Sequence, residues 1–304
     1  MARKKTKSGR RSPPKTEPRR RRRRKAASPA RPLIGFIGAG NMARSLATGL
    51  IANGWPAGRI LLSDPDPAQR RAVEERLRVQ VHADNGAVAA RAEVLVLAVK
   101  PQIMREVADD IGAEVRRRRP LVLSIAAGIR TADLARWLGG DVPLVRAMPN
   151  TPALVGAGAA ALYATAAVDA RMRATAESVL RSVGTAVWVK DEAQMDAVTA
   201  LSGSGPAYFF LLMEALERAG VALGLDAATA RLLTLETAYG AAKMALEGAE
   251  EPGVLRARVT SPGGTTERAL AVLEQGRFAP LVADAVTAAT ERARELADMF
   301  GRAS

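Results

Sequence analysis

Ile34-Gly35-Phe36-Ile37-Gly38-Ala39-Gly40-Asn41-Met42-Ala43 carries an apolar run straight into G-x-G-x-x-A, and the amphipathic stretch Arg44 to Asn53 follows at once. Strand, glycine turn and helix in that order form a dinucleotide-binding fingerprint. Gly38 makes the tight turn, and Gly40 lets a pyrophosphate approach the backbone. Ala43 takes the third glycine's place, where the helix packs on the strand. A second apolar run, Ile60 to Ser63, ends in Asp64, twenty-four residues beyond Gly40. An acidic residue there is placed to meet a ribose.

Working outward from this motif, apolar runs alternate with helical patterns. Strands are expected over residues 33–38, 60–63, 79–81, 94–99, 121–125 and 144–147, with helices between them at 43–53, 67–77, 85–92, 103–115 and 131–137. Such alternation predicts an α/β fold, a Rossmann-like doubly wound parallel sheet with helices on both faces. Residues 158–163 and 186–189 add candidate edge strands around a helix at 171–183. From Ala193 onward the pattern is helix after helix: 193–201, a break at Ser202 to Pro206, then 207–219, 226–247, 254–258, 266–275 and 280–300. Three segments are expected: a basic tail (1–32), a dinucleotide-binding domain (33–190) and a helical substrate and dimerisation domain (191–304). The long Ala- and Leu-rich helices expose more apolar surface than one small domain buries, which predicts a homo-oligomer.

The 304 residues carry a net charge of +14, with an uneven distribution. Residues 1–32 hold 15 of the 45 Lys and Arg but one of the 31 acids, Glu17, so the remainder is balanced. A segment this rich in Pro, Ser, Lys and Arg does not bury enough apolar surface to fold, and nonspecific polyanion contact is one role for it. It has no aromatic residue for base stacking. The other readings are a solvated tail without a partner and a start codon assigned too far upstream. Without cysteine there is no disulfide, thiolate nucleophile or cysteine-held metal, and no metal site is expected. No run reaches the roughly 20 apolar residues of a membrane span, and no apolar signal segment opens the chain, so a cytoplasmic protein is expected.

A second motif lies far downstream. Val259-Thr260-Ser261-Pro262-Gly263-Gly264-Thr265-Thr266 ends one helical pattern and opens another. Glycines let backbone N–H groups approach a ligand, hydroxyls add donors, and the start of the next helix adds unsatisfied N–H groups and a positive dipole end. The octapeptide reads as a cradle for a small carboxylate, or equally as an ordinary helix-initiating turn.

With these elements in order, the chain resembles the Δ1-pyrroline-5-carboxylate reductases, which carry out the last step of proline biosynthesis. The resemblance spans nearly all of 33–300. It rests on GFIGAGNMA at 35–43, AVKPQ at 98–102, SIAAGI at 124–129, RAMPNTPA at 146–153, ALSGSGPAY at 200–208, GAAKM at 240–244 and VTSPGGTT at 259–266. The basic extension is the departure. The resemblance implies NADPH as cofactor, with NADH as the alternative. It lays the pyrophosphate over Gly38, Ala39, Gly40, Asn41, Met42 and Ala43, and sets Ser63 and Asp64 at the adenosine ribose. Asn85 falls on the adenine side, and Ala98, Val99, Lys100 and Pro101 line the cleft. Lys100 also reads as a solvated strand end. Ser261, Gly263, Gly264 and Thr265 match the substrate loop, with Thr266 placed at the ring nitrogen of a cyclic imine. Asp64 favours a ribose diol, whereas Ser63, Arg70 and Arg71 are suited to a 2′-phosphate.

Two other readings stand beside this one. A β-hydroxyacid dehydrogenase shares the first folded residues but needs a helical-domain Lys in a K-x-x-x-N setting; Lys243, the only Lys beyond Lys190, has Glu247 there instead. A nucleic-acid-binding protein on a reductase-like fold suits the tail but leaves the glycine-threonine loop without a purpose. His82, the only histidine, reads as a surface or packing residue, Tyr208 and Phe209 as core or cleft wall, and Glu267 as a favourable acid in a first helical turn.

Overall fold

The computed structural model describes residues 1–2 and 31–302, so most of the expected basic tail lies outside the described residues. From Arg31 onward the chain packs as one compact unit. Six strands come first: β1 (Ile34–Ile37), β2 (Ile60–Ser63), β3 (Gln80–His82), β4 (Val94–Leu97), β5 (Leu121–Ser124) and β6 (Leu144–Met148). Between them run α1 (Asn41–Ala52), α2 (Pro67–Leu77), α3 (Asn85–Ala89), α4 (Met104–Arg118) and α5 (Thr131–Trp137). All these strands pair in parallel in the order β3-β2-β1-β4-β5-β6.

Alternation along the strands feeds two cores. Ile34 and Phe36, Ile60 and Leu62, and Val94 and Val96 face one side, with Leu46 and Leu50 of α1. Ile37, Leu61, Leu95 and Leu97 face the other, with Met104 and Ile111 of α4 and Trp137 of α5. Strands buried on both faces need apolar residues at every position, which is why they read as unbroken runs.

Both candidate edge strands form. β7 (Gly158–Ala164) runs antiparallel to β6, α6 (Ala170–Arg181) follows, and β8 (Gly184–Trp188) completes an eight-stranded sheet parallel to β7. Asp66, Asp84 and Asp169 cap α2, α3 and α6 by accepting first-turn N–H groups.

The remaining helices are α7 (Gln194–Val198), α8 (Gly205–Ala222), α9 (Ala227–Glu247), α10 (Pro252–Arg258), α11 (Thr265–Gln275) and α12 (Phe278–Arg302). The helix expected over 193–201 differs. It stops at Val198, and a π-helical turn over residues 199–203 joins it to α8, which starts at Gly205 rather than Ala207. Pro206, with no N–H to donate, sits where a helix start tolerates it.

Charged pairs bind this helical part to the sheet. Arg146 on β6, only 4 % exposed, pairs with Glu192 at 3.2 Å and Asp196 at 3.7 Å. Glu192 also accepts from the backbone N–H and hydroxyl of Thr131, at the start of α5. Arg130 meets Asp298 of α12 at 2.7 Å.

Two residues expected in the tail belong to the folded body. Arg31 stacks over the Trp55 ring at 4.7 Å, and Trp55 Nε1 donates to the Pro32 carbonyl. Among the described residues no helix is long and apolar enough to cross a membrane.

Candidate active site

Register sets the site. Ile37 lies opposite Ser63 on β2 and Leu97 on β4, so Gly38, Asp64 and Ala98 leave the sheet at one level. That level is the carboxyl end of the strands at the switch point between β1 and β4, where ligands of such sheets bind.

Gly38 adopts φ +94°, and a Cβ on it would stand 2.9 Å from the Ala98 carbonyl oxygen and 3.1 Å from Cγ1 of Val99. Only glycine makes this turn without strain. Ala39 is buried, and its N–H donates to Oδ2 of Asp64 at 2.9 Å; Oδ1 of Asp64 accepts from Asp66 N–H at 3.0 Å. Gly40 caps α1 without any side-chain hydrogen bond, and a Cβ there would meet nothing within 4 Å. The first N–H groups of α1 therefore face open ground beside a bare backbone. These residues fit a dinucleotide pyrophosphate, which needs close backbone approach and unsatisfied donors. Asn41 is exposed and accepts from Arg44, which also donates to Gln69 at 3.0 Å. Met42 and Ala43 turn into the core, which explains an alanine where the fingerprint's third glycine stands.

Ser63 is buried and donates to Oδ1 of Asn85 at 2.8 Å; Asn85 Nδ2 donates in turn to Asp110 at 3.3 Å. Ser63 and Asn85 thus meet each other directly. Arg70 spends its Nη1 on the Asp64 and Pro65 carbonyls, 2.8 Å each, while Arg71 is exposed with no partner among the described residues. Ala98 and Val99 are half-buried beside the glycine turn, and exposed Lys100 opens a short helical turn at Pro101.

The downstream loop joins α10 to α11. Gly263, at φ +71°, donates its N–H to Glu267 at 2.8 Å, and Gly264 donates to the Ser261 carbonyl at 3.0 Å. Glu267 is thereby engaged with the loop backbone, in keeping with its expected helix-start role. The hydroxyls of Ser261, Thr265 and Thr266 have no partner among the described residues, and neither do the first-turn N–H groups of α11. Among the described residues no Lys or Arg side chain bonds to the loop. Its hydrogen bonds among the described residues stay within itself and its flanking helices, and none joins 261–266 to the glycine turn, Ser63, Asp64, Asn85 or residues 98–101, which the sheet register brings together.

Lys243 pairs with Glu247 at 4.0 Å and lies over Tyr239, an exposed helical arrangement unlike a catalytic lysine. His82 sits on the outer strand with Nε2 buried and unpartnered. Sequence reasoning gave no role to Asp110, Gln69 or Asn150. Asn150 carries no local sign of its part, because the carbonyl it meets, that of Ser202, lies 52 residues further along the chain.

Residues 192–296 match the family model described as pyrroline-5-carboxylate reductase dimerisation, and residues 33–128 match one described as NADP oxidoreductase, coenzyme F420-dependent. The pyrroline-5-carboxylate reductase of Pseudomonas aeruginosa is 51 % identical over 271 residues, covering 89 % of this chain and 99 % of that one. The solved Coxiella burnetii pyrroline-5-carboxylate reductase is 46 % identical with a TM-score of 0.85, covering 88 % of this chain and 98 % of its own. The Plasmodium falciparum pyrroline carboxylate reductase, solved with NADP bound, is 30 % identical with a TM-score of 0.78, covering 88 % and 99 %. Sequence motifs, sheet order and relatives agree that the chain belongs to the pyrroline-5-carboxylate reductase family.

Proposed function

We propose that this protein reduces Δ1-pyrroline-5-carboxylate to L-proline with NAD(P)H. The observation that carries the reading is the 261–266 loop: three hydroxyls and the N–H groups of a helix start that have no partner among the described residues, and no cation there pairing with them, are suited to a small carboxylate. Family membership agrees with it.

In this reading the chain's work is placement. The Gly38–Ala43 turn holds the pyrophosphate, Ser63 and Asp64 face the ribose, Asn85 supports the adenine side, and Ala98, Val99, Lys100 and Pro101 line the cleft. When bound, the dihydronicotinamide supplies the hydride. Ser261, Gly263, Gly264 and Thr265 hold the substrate carboxylate, and Thr266 hydrogen-bonds the ring nitrogen. A cyclic imine bound in its protonated form is already electrophilic, so the hydride completes the amine without a strong acid from the protein. NADPH is the preferred cofactor, and Arg71 is the cation available for its 2′-phosphate.

A second copy of the chain completes the site. Among the described residues no hydrogen bond joins the loop to its own glycine turn, and α8 and α9 expose Phe209, Phe210, Leu232, Leu233 and Tyr239. A matched dimerisation model and this apolar surface both support a homodimer or higher oligomer. The division into segments 1–32, 33–190 and 191–304 is retained as the functional one, with Arg31 and Pro32 anchoring the boundary. The charge of the basic segment supports nonspecific polyanion contact, and the absence of cysteine is compatible with the cytoplasm. The test is NADPH oxidation that depends on added pyrroline-5-carboxylate; binding of NADPH without such turnover overturns the reading.

A further inference from the structure

The π-helical turn over 199–203 leaves backbone carbonyls that other parts of the chain satisfy. Ser204 N–H donates five residues back to Thr199 at 2.8 Å and so passes over the Ala200 carbonyl, its partner in an α-helix. The Tyr208 hydroxyl donates to that carbonyl at 3.0 Å. The Ser202 carbonyl lies four residues before Pro206, which has no N–H to give. Nδ2 of Asn150 donates to it at 3.0 Å. Oδ1 of the same amide accepts from Ala159 N–H on β7 at 2.9 Å, which fixes which end is oxygen. Asn150 is buried, and it stands just past the carboxyl end of β6. Beside it Met148 packs so closely on Gly203 that a Cβ there would lie 2.5 Å from the Met148 Cε.

A dinucleotide centred on the β1–β4 switch point extends its adenosine half over β2 and its other half over β5 and β6. The 199–203 turn stands beyond β6, at the end where a reducible carbon must be held. Resting on the reductase reading, we infer that Asn150 is a positioning residue for the reaction: by supplying the donor that Pro206 lacks, it fixes the 199–203 turn as the cleft wall beside the reacting centre. Tyr208 does the same at Ala200.

The experiment compares the native protein with Asn150→Ala, Asn150→Ala combined with Pro206→Ala, and Tyr208→Phe. For each, kcat and KM for pyrroline-5-carboxylate, NADPH affinity by fluorescence titration, and amide hydrogen exchange over 199–208 are measured. Losing two hydrogen bonds, the one to the Ser202 carbonyl and the one from Ala159 N–H, Asn150→Ala lowers kcat/KM about tenfold or more. NADPH affinity and exchange elsewhere are retained, while exchange over 199–208 accelerates. Pro206→Ala restores a donor to Ser202 and recovers part of the loss. Unchanged kcat/KM in Asn150→Ala overturns the inference, and so does a fall shared by NADPH affinity and global exchange protection. If Asn150→Ala does not fold, Tyr208→Phe decides: a loss of kcat/KM with NADPH affinity intact supports the inference, and native kinetics refute it. Failure of the native protein to turn over the imine rejects the reductase reading instead.

Discussion

The backbone N–H of Ala39 donates to Oδ2 of Asp64 at 2.9 Å, joining the glycine turn to the end of the neighbouring strand across 25 positions of sequence. With Asp66 N–H on the other oxygen, this carboxylate braces the turn and, in the proposed reading, sets a negative charge beside the ribose. Asp64→Ala removes brace and charge together. NADH affinity falls by about tenfold or more, a charged hydrogen bond being lost, while NADPH affinity falls less because its 2′-phosphate escapes repulsion. Asp64→Asn, which keeps an acceptor, shifts preference the same way with a smaller loss. Fluorescence titrations with both cofactors check this, and a shift toward NADH contradicts it.

Gly38→Ala forces a Cβ to within 2.9 Å of the Ala98 carbonyl oxygen at a φ of +94°. Strain of this kind costs about 1–3 kcal/mol before any displacement of the 98–99 backbone. The variant melts lower and binds NADPH more weakly. Native melting and binding together show that the turn does not depend on this glycine.

At the downstream loop, Thr266→Ala removes a hydroxyl without a partner among the described residues and reserved, in the proposed reading, for the imine nitrogen. Turnover falls by roughly ten- to a hundred-fold, the worth of a hydrogen bond to a charged group. Cofactor affinity stays at the native level. Steady-state kinetics paired with a cofactor titration separate the two effects, and unchanged turnover removes Thr266 from the site.

The parallel strands were legible because burial on both faces demands unbroken apolar runs, and their parallel pairing follows from the alternation with helices, whereas their order β3-β2-β1-β4-β5-β6 came only with the structure. β2, α2 and α5 run over the residues expected for them. The 199–203 turn was not legible. Its residues suit a helix or a break equally, and what holds it is an amide some fifty residues upstream, which no local pattern reveals. Asp64 was legible as an acid at a strand end, but its grip on Ala39 depends on two strands lying in register. The Ser63–Asn85–Asp110 chain likewise needs the third dimension to bring three short segments together.

Deleting residues 2–30 leaves reductase turnover and oligomer size intact, because every motif named above lies beyond them. The cut spares Arg31, which stacks on Trp55 and accepts from Arg59 through its carbonyl. On a phosphate-bearing matrix the full chain is retained at low salt and released steeply as salt rises, whereas the shortened chain flows through. Equal retention of both forms contradicts polyanion contact by this segment. Loss of turnover on truncation contradicts its separateness from the chemistry.

The most direct measurement follows NADPH oxidation and L-proline formation together, in one reaction containing the full-length protein and pyrroline-5-carboxylate. The account predicts that proline appears in amounts equal to the NADPH consumed, and that neither changes when the imine is omitted. Binding of NADPH without oxidation in the presence of the imine, or oxidation without proline, contradicts it.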